Sequence, residues 1–275
     1  LYHEALVETL DAFDFEGFPV LALGYVEGVT VDALRKKAPL LPEGAARIGC
    51  QIAEALGAIH GALGDDGGPL GAVHRDVSAR NILVTPKGGA VLIDLGIART
   101  DEARVAHTET GMVLGTLRYM APELIDGHGA SPSSDFYSLG CVLIEAVSGR
   151  SVFEGPPSEV AAQIVAKGAM AGAAAAALAP PLRDVVARMV AMRPDDRIGE
   201  AHELSKALRS VEAQLGGGER ALADRARDAV ASAPPLEGTP APVTGVPLPP
   251  TVAGIRPVEP NTGTFDERHA SPFAS

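Results

Sequence analysis

"VHRDVSARNILV", residues 73–84, sets His74, Arg75, Asp76 and Asn81 in one polar stretch directly before the apolar run Ile82, Leu83, Val84. Such a stretch reads as a loop entering a strand. Asn81 follows Asp76 by five residues, so a short segment holds a carboxylate able to accept a proton and a carboxamide oxygen suited to a hard cation. Taken alone the segment could equally be a polar turn, with Asp76 as a loop cap and Asn81 as turn chemistry.

The downstream sequence decides between these. Thirteen residues beyond Asn81, Asp94 stands in "VLIDLGIAR", after an apolar strand and before a glycine. "GTLRYMAPE" (115–123) and "SSDFYSLGCVLIE" (133–145) follow in order. Four motifs in this sequence and spacing are hard to obtain by chance. With them the chain resembles the eukaryotic-like protein kinase family, in particular its bacterial serine/threonine branch. The resemblance runs over roughly residues 1–214 and is most specific from 73 to 140.

The resemblance implies a bilobal α+β, protein-kinase-like fold: a mainly helical C-terminal lobe plus a remnant β-hairpin of the N-terminal lobe. Residues 1–27 would be that remnant and the hinge, 28–214 the helical lobe, and 215–275 a disordered tail rich in Pro, Gly and Ala. ATP and Mg2+ are the implied cofactors, and a protein carrying a Ser or Thr hydroxyl the implied substrate. Phosphoryl transfer mainly needs alignment and charge neutralisation. Asp76 would orient the hydroxyl and accept its proton, and Asn81 and Asp94 would hold Mg2+. Leu83 would lie under adenine, whose edge would meet the carbonyl of Gly24 and the amide of Val26 in the hinge "LGYVEG", with Leu23 as gatekeeper. Thr116 would touch the loop of Asp76. Thr108 and Thr110 match a Thr-x-Thr pair whose phosphorylation would order their loop against Arg75; unmodified, they are loop threonines. Glu123 would pair structurally with Arg197, Asp135 would grip the backbone of the 74–81 loop, and His74 would be structural. A dimer of kinase domains is also compatible with the family.

Three departures qualify the resemblance. Ser78 stands where serine/threonine members usually carry a lysine, and Arg80, at a position where tyrosine kinases have an arginine, could compensate for the lost charge. Leu95 replaces the phenylalanine after the metal-binding aspartate, which keeps an apolar contact. No Gly-x-Gly-x-x-Gly loop precedes the hairpin, and no lysine precedes Lys36. The expectation is therefore a truncated kinase, inactive or weak as it stands. A pseudokinase scaffold is the alternative that Ser78 favours. A small-molecule phosphotransferase is a second alternative, opposed by "GTLRYMAPE" followed by "SSDFYSLG".

Bulk properties fit this reading. The 275 residues are 46% hydrophobic with a net charge of −12, which supports a sizeable core and argues against nucleic acid or an anionic membrane as partner. Cys50 and Cys141 lie in apolar helix-like stretches and read as small buried thiols, consistent with a cytoplasmic location; a membrane anchor beyond the C-terminus stays open. The longest apolar stretch, around 136–147, carries Glu145 and is too short for a membrane span.

The hydrophobic pattern predicts strands at 6–13 and 18–26, a hairpin that needs partner strands. Helices are expected at "VDALRKK", from Pro42 through a stripe of Ile48, Ile52, Leu56, Ile59 and Leu63, and at 134–148, 158–168, 180–192 and 200–214. His60 lies beside the stripe and reads as a surface or hydrogen-bonded core histidine. Residues 101–120 show no period and read as a loop, and "AGAAAAALAP" as alanine-biased filler. Ten of the 22 prolines fall in 234–275. There "PLPP" reads as linker, with an extended polyproline ligand as the sharper alternative.

Overall fold

Residues 9–15 and 18–23 form the two strands that their branched and aromatic side chains predict. In the computed structural model, which describes residues 2–15, 18–64, 66–94, 117–166 and 169–232, β1 (Thr9–Phe15) pairs antiparallel with β2 (Phe18–Leu23). Phe13 lies opposite Val20 and Phe15 opposite Phe18. β1 starts later than the pattern predicts because the preceding residues pair elsewhere: Val7 donates to the Leu92 carbonyl and Leu92 to that of Ala5. The hairpin leaves Leu10, Phe15, Phe18 and Leu21 exposed.

A second antiparallel sheet has the order β3 (Val29–Thr30), β4 (Ile82–Val84), β5 (Ala90–Leu92). Between β3 and β4 run α1 (Val31–Lys37), capped by the Thr30 hydroxyl on the Ala33 amide, and α2 (Pro42–His60), opened by Pro42 in its first turn. α2 buries Ile48, Ile52, Leu56 and Ile59. The stripe stops short of Leu63, because Gly61 ends the helix at His60 and Leu63 beyond it is 64% exposed.

After β5 come α3 (Pro122–Ile125) and α4 (Pro132–Ser148). α4 begins two residues before its expected start because Ser131 and Ser134 form a reciprocal capping box around Pro132. It is buried on nearly every side, the pattern of a central helix. Gly49 of α2 lets the helices close up: a Cβ there would come within 2.8 Å of Leu143 on α4 and 2.9 Å of Leu208. Leu208 belongs to α8, the helix reached through α5 (Pro157–Ala166), α6 (Ala169–Ala176), α7 (Leu182–Met189) and the short 3-10 turn Pro194–Asp196; α8 itself spans Ala201–Gln214. The alanine-biased stretch contributes α6, which buries Ala171 and Ala175.

The expected tail from residue 215 begins instead with another helix, α9 (Glu219–Ala231). Gly216 and Gly217, at φ 95° and 86°, break the chain after α8, and this glycine cluster gives the segment its linker-like look. α9 is nevertheless amphipathic, burying Leu222 and Ala226, and its Arg225 guanidinium donates to the carbonyls of Leu34, Ala38 and Pro39. The Leu34 carbonyl already accepts the Ala38 amide, so Arg225 adds a second donor there and ties α9 to the end of α1. Among the described residues no helix is long and apolar enough to cross a membrane.

Candidate active site

The 74–81 loop sits between α2 and β4, held from behind by α4. Ser131 provides the helix cap, so Asp135, one turn inside α4, is free to serve the loop. Its Oδ2 accepts the His74 amide at 2.8 Å and its Oδ1 the Arg75 amide at 3.0 Å. The side chain is 2% exposed, where an ionised carboxylate requires such donors. Arg75 has φ 67°, a left-handed conformation costing a non-glycine residue about 1 kcal/mol or more. The two bonds to Asp135 tie down the backbone that leads into that residue.

Beyond the strained residue the backbone turns back on itself. The Asp76 amide donates to His74 Nδ1 at 3.3 Å, and the Asn81 amide to the Ser78 carbonyl at 3.0 Å. Asn81 Nδ2 then donates to Asp76 Oδ2 at 3.0 Å and to the Asp76 carbonyl at 2.9 Å. With its amide nitrogen so engaged, Asn81 keeps its Oδ1 as an acceptor. The Ile93 amide donates to the Asn81 carbonyl at 2.8 Å, tying to Asn81 the strand end that carries Asp94. Asp94 is exposed and has φ 57°, the second non-glycine residue in the left-handed region among those described. A carboxamide oxygen and an exposed carboxylate thus stand on adjoining strand ends, and both are hard-oxygen donors that could serve a cation such as Mg2+.

His74 is 1% exposed. Burial holds its imidazole below the ordinary histidine value, with the charges of Asp135 and Asp76 pulling the other way. Leu83, half-buried in β4, lies between Thr30 and Val91 of the flanking strands. In the hinge segment the Gly24 amide donates to the Glu8 carbonyl at 2.8 Å, which closes the base of the hairpin; Val26 is half-buried and Leu23 is 38% exposed.

Residues 1–208 match the family described as protein kinase domain. The chain belongs to the protein kinase family. The serine/threonine-protein kinase PknB of Mycolicibacterium smegmatis is 32% identical over 258 residues, covering 90% of this chain and 40% of that protein. A Corynebacterium efficiens protein called serine/threonine-protein kinases drp72 is 33% identical over 243 residues, 86% of this chain and 44% of its own length. PknA of Mycobacterium tuberculosis is 55% identical over a shorter stretch of 85 residues, 31% of this chain and 20% of that protein. These relatives identify the bacterial serine/threonine type, and the chain spans less than half of their length.

Two further ion-pair systems brace the kinase lobe. Arg197 meets Glu123 in a fork, both N···O distances 2.7 Å, and donates in addition to the carbonyls of Ala191, Ser133 and Met192. Its guanidinium also lies 4.9 Å from the centre of the Tyr137 ring. The pair thus joins the end of the "GTLRYMAPE" segment to the turn before α8.

The second system is not apparent from the motifs. Asp32 on α1 receives Arg35 and Lys36, each at 2.7 Å, and lies 3.9 Å from Arg80 Nε. Arg80, 67% exposed, therefore turns towards α1. Burial disfavours the Asp32 carboxylate, but the Lys36 hydrogen bond and the charge of Arg35 outweigh it and keep its pKa below the usual value. Arg35 also reaches the buried Glu145 at 3.3 Å. Glu145 in turn accepts from the Tyr119 hydroxyl at 2.7 Å and from the Val152 amide at 3.2 Å. Burial raises the Glu145 pKa, with the Tyr119 bond and Arg35 opposing. The signals were present in the sequence: Asp32 three and four residues before two cations, and one acid inside the apolar 136–147 run.

Ser78, where the family usually has lysine, is buried at 5% exposure. Cys50 and Cys141 are free and buried, and burial pushes the Cys50 thiol up to about 11, so neither is poised as a nucleophile. Thr108, Thr110, Thr116 and Leu95 lie outside the described residues.

Proposed function

We propose that this chain carries the transfer machinery of an ATP-dependent protein serine/threonine kinase. The supporting observation is the double hydrogen bond from Asn81 to Asp76 on a loop whose backbone Asp135 holds from behind. Asp76 would accept the proton of a substrate Ser or Thr hydroxyl. Asn81, by donating to Oδ2 and to the backbone carbonyl, would fix the direction of that carboxylate. Asn81 Oδ1 and Asp94 would hold Mg2+, which when bound neutralises and orients the phosphates of ATP. Leu83 and the hinge backbone at Gly24 and Val26 would receive adenine. Thr116 would touch the loop of Asp76, and phosphate on Thr108 or Thr110 would pair with Arg75. The same reading puts the chain in the cytoplasm, where ATP is supplied and unpaired cysteines stay reduced.

Residues 1–275 contain no glycine-rich loop ahead of the hairpin and no lysine before Lys36, so transfer by this chain alone would be weak. A non-catalytic scaffold is the second reading, favoured by the buried Ser78 at the usual lysine position. Titration with a fluorescent ATP analogue separates the two. The kinase reading expects Mg2+-dependent binding that Asp94→Asn reduces at least about ten-fold; binding indifferent to both Mg2+ and Asp94 would leave the scaffold.

A further inference from the structure

We propose that Arg225 of α9 is a positioning residue for nucleotide, lying past the family-matched residues 1–208 and acting through α1 on the hinge and the adenine floor. The proposal rests on the reading of Leu83 and the hinge backbone at Gly24 and Val26 as the adenine site. The Arg225 guanidinium donates through Nη2 to the carbonyls of Ala38 at 2.7 Å and Leu34 at 3.1 Å, and through Nη1 to that of Pro39 at 3.2 Å. These carbonyls surround the C-terminal end of α1, where the helix dipole favours a cation. At the opposite end of α1 the Asp32 amide donates to the Ala79 carbonyl, inside the 74–81 loop, at 2.8 Å. The helix is only about two turns long, so a tie at one end governs the position of the other. β3, which joins the hinge to α1, lies on β4 with Thr30 opposite Leu83.

The helix that carries Arg225 is seated firmly on the lobe. Leu222 and Ala226, one turn apart, are buried, and Leu222 fills the notch left by Gly44 of α2, where a Cβ would come within 3.1 Å of it. Glu219, the first residue of α9, meets Arg47 of α2 at 3.1 Å, and its carbonyl lies so near Gly88 that a Cβ there would stand 2.3 Å away. Arg47 also donates to the Gly88 carbonyl at 2.9 Å, and Arg227 to that of Pro86 at 3.2 Å. Pro86 and Gly88 belong to the turn between β4 and β5. α9 thus spans the two segments that flank the adenine floor, the end of α1 on one side and the turn after β4 on the other. Loss of the Arg225 donors frees α1 while the turn keeps its ties to Arg47 and Arg227. α1 and β3 then shift against Leu83, and the adenine site loses its shape.

Titration of the 275-residue chain with a fluorescent ATP analogue in Mg2+, together with hydrogen exchange at the Asp32 amide, tests this. Arg225→Ala should weaken analogue binding about five-fold, the effect of one net hydrogen bond, and quicken Asp32 exchange by a similar factor at the far end of α1. Arg225→Lys should bring both back to within about two-fold of the wild type, because an ammonium carries three donors and the acceptors here are separate carbonyls. Val186→Ala, a core truncation in α7 where that helix packs among α4, α6 and α8, lowers stability without touching the clamp and should leave the affinity within about two-fold. Unchanged affinity or unchanged Asp32 exchange in Arg225→Ala would overturn the proposal. So would an equal loss of affinity in Val186→Ala, which marks general destabilisation. If the wild type binds no nucleotide, it is the kinase reading that fails, and Asp32 exchange decides the Arg225 linkage by itself.

Discussion

Asn81 donates to Asp76 twice, to the side-chain Oδ2 at 3.0 Å and to the backbone carbonyl at 2.9 Å. The residue proposed to share the metal is thereby the one that aims the proposed base. Asn81→Ala removes both functions. It should raise the Mg2+ concentration needed for half-maximal transfer by at least about ten-fold and lower the maximal rate as well. A Mg2+ titration of turnover checks this; a drop in rate with an unchanged Mg2+ requirement would confine Asn81 to orienting Asp76.

Arg197→Met should destabilise the lobe by about 3 kcal/mol, because Glu123 and three backbone carbonyls lose their donors together. Arg197→Lys should recover little, since a single ammonium cannot reproduce the fork. Denaturant unfolding monitored by circular dichroism gives the comparison.

The Arg35–Glu145 contact is buried on both sides, with side-chain exposures of 8% and 1%. Arg35→Met should cost about 3 kcal/mol by leaving a buried carboxylate short of its cation. Adding Glu145→Gln, which keeps an acceptor for Tyr119 without the charge, should return a large part of that loss. Double-mutant unfolding measures the coupling, and strict additivity of the two changes would show that the pair is energetically idle.

His74 gives the lobe a pH dependence of definite sign. Its folded pKa lies below the unfolded value of 6.5 because burial disfavours the cation. Between those two values the unfolded chain binds a proton that the folded chain does not, so stability rises with pH through the window and levels off above the unfolded pKa. The stability of the wild type relative to His74→Phe should therefore increase from pH 5 to about pH 7. A flat difference across that range would mean that His74 titrates alike in both states.

The parts legible in the sequence are those whose partners lie close along the chain. Asp76 and Asn81 share one loop, and α4 announces itself by a cap, a proline and a mainly apolar run between Ser131 and Gly149. His60 Nε2 lies 2.9 Å from Asp135 Oδ2, but the two residues are 75 apart in the chain and nothing local to either names the other. Backbone acceptors leave still less trace. The carbonyls that Arg225 meets at the end of α1 have no side-chain signature, so α9 passes for the start of a linker. Leu63 fits the periodicity of α2 but falls beyond Gly61, where the helix has already ended. Periodicity predicts burial well where a helix continues and poorly two residues past its cap.

The central claim is that Asp76 drives transfer of phosphate to a protein hydroxyl. The most direct measurement is Mg2+-dependent incorporation of labelled γ-phosphate into a Ser/Thr-containing protein, by residues 1–275 joined behind a β-lobe that supplies a glycine-rich loop and a strand lysine, with Asp76 intact or changed to Asn. Incorporation that needs Mg2+ and falls about 100-fold or more in the Asp76→Asn form is the predicted result. Folded proteins that incorporate no more label with Asp76 than with Asn would contradict the account.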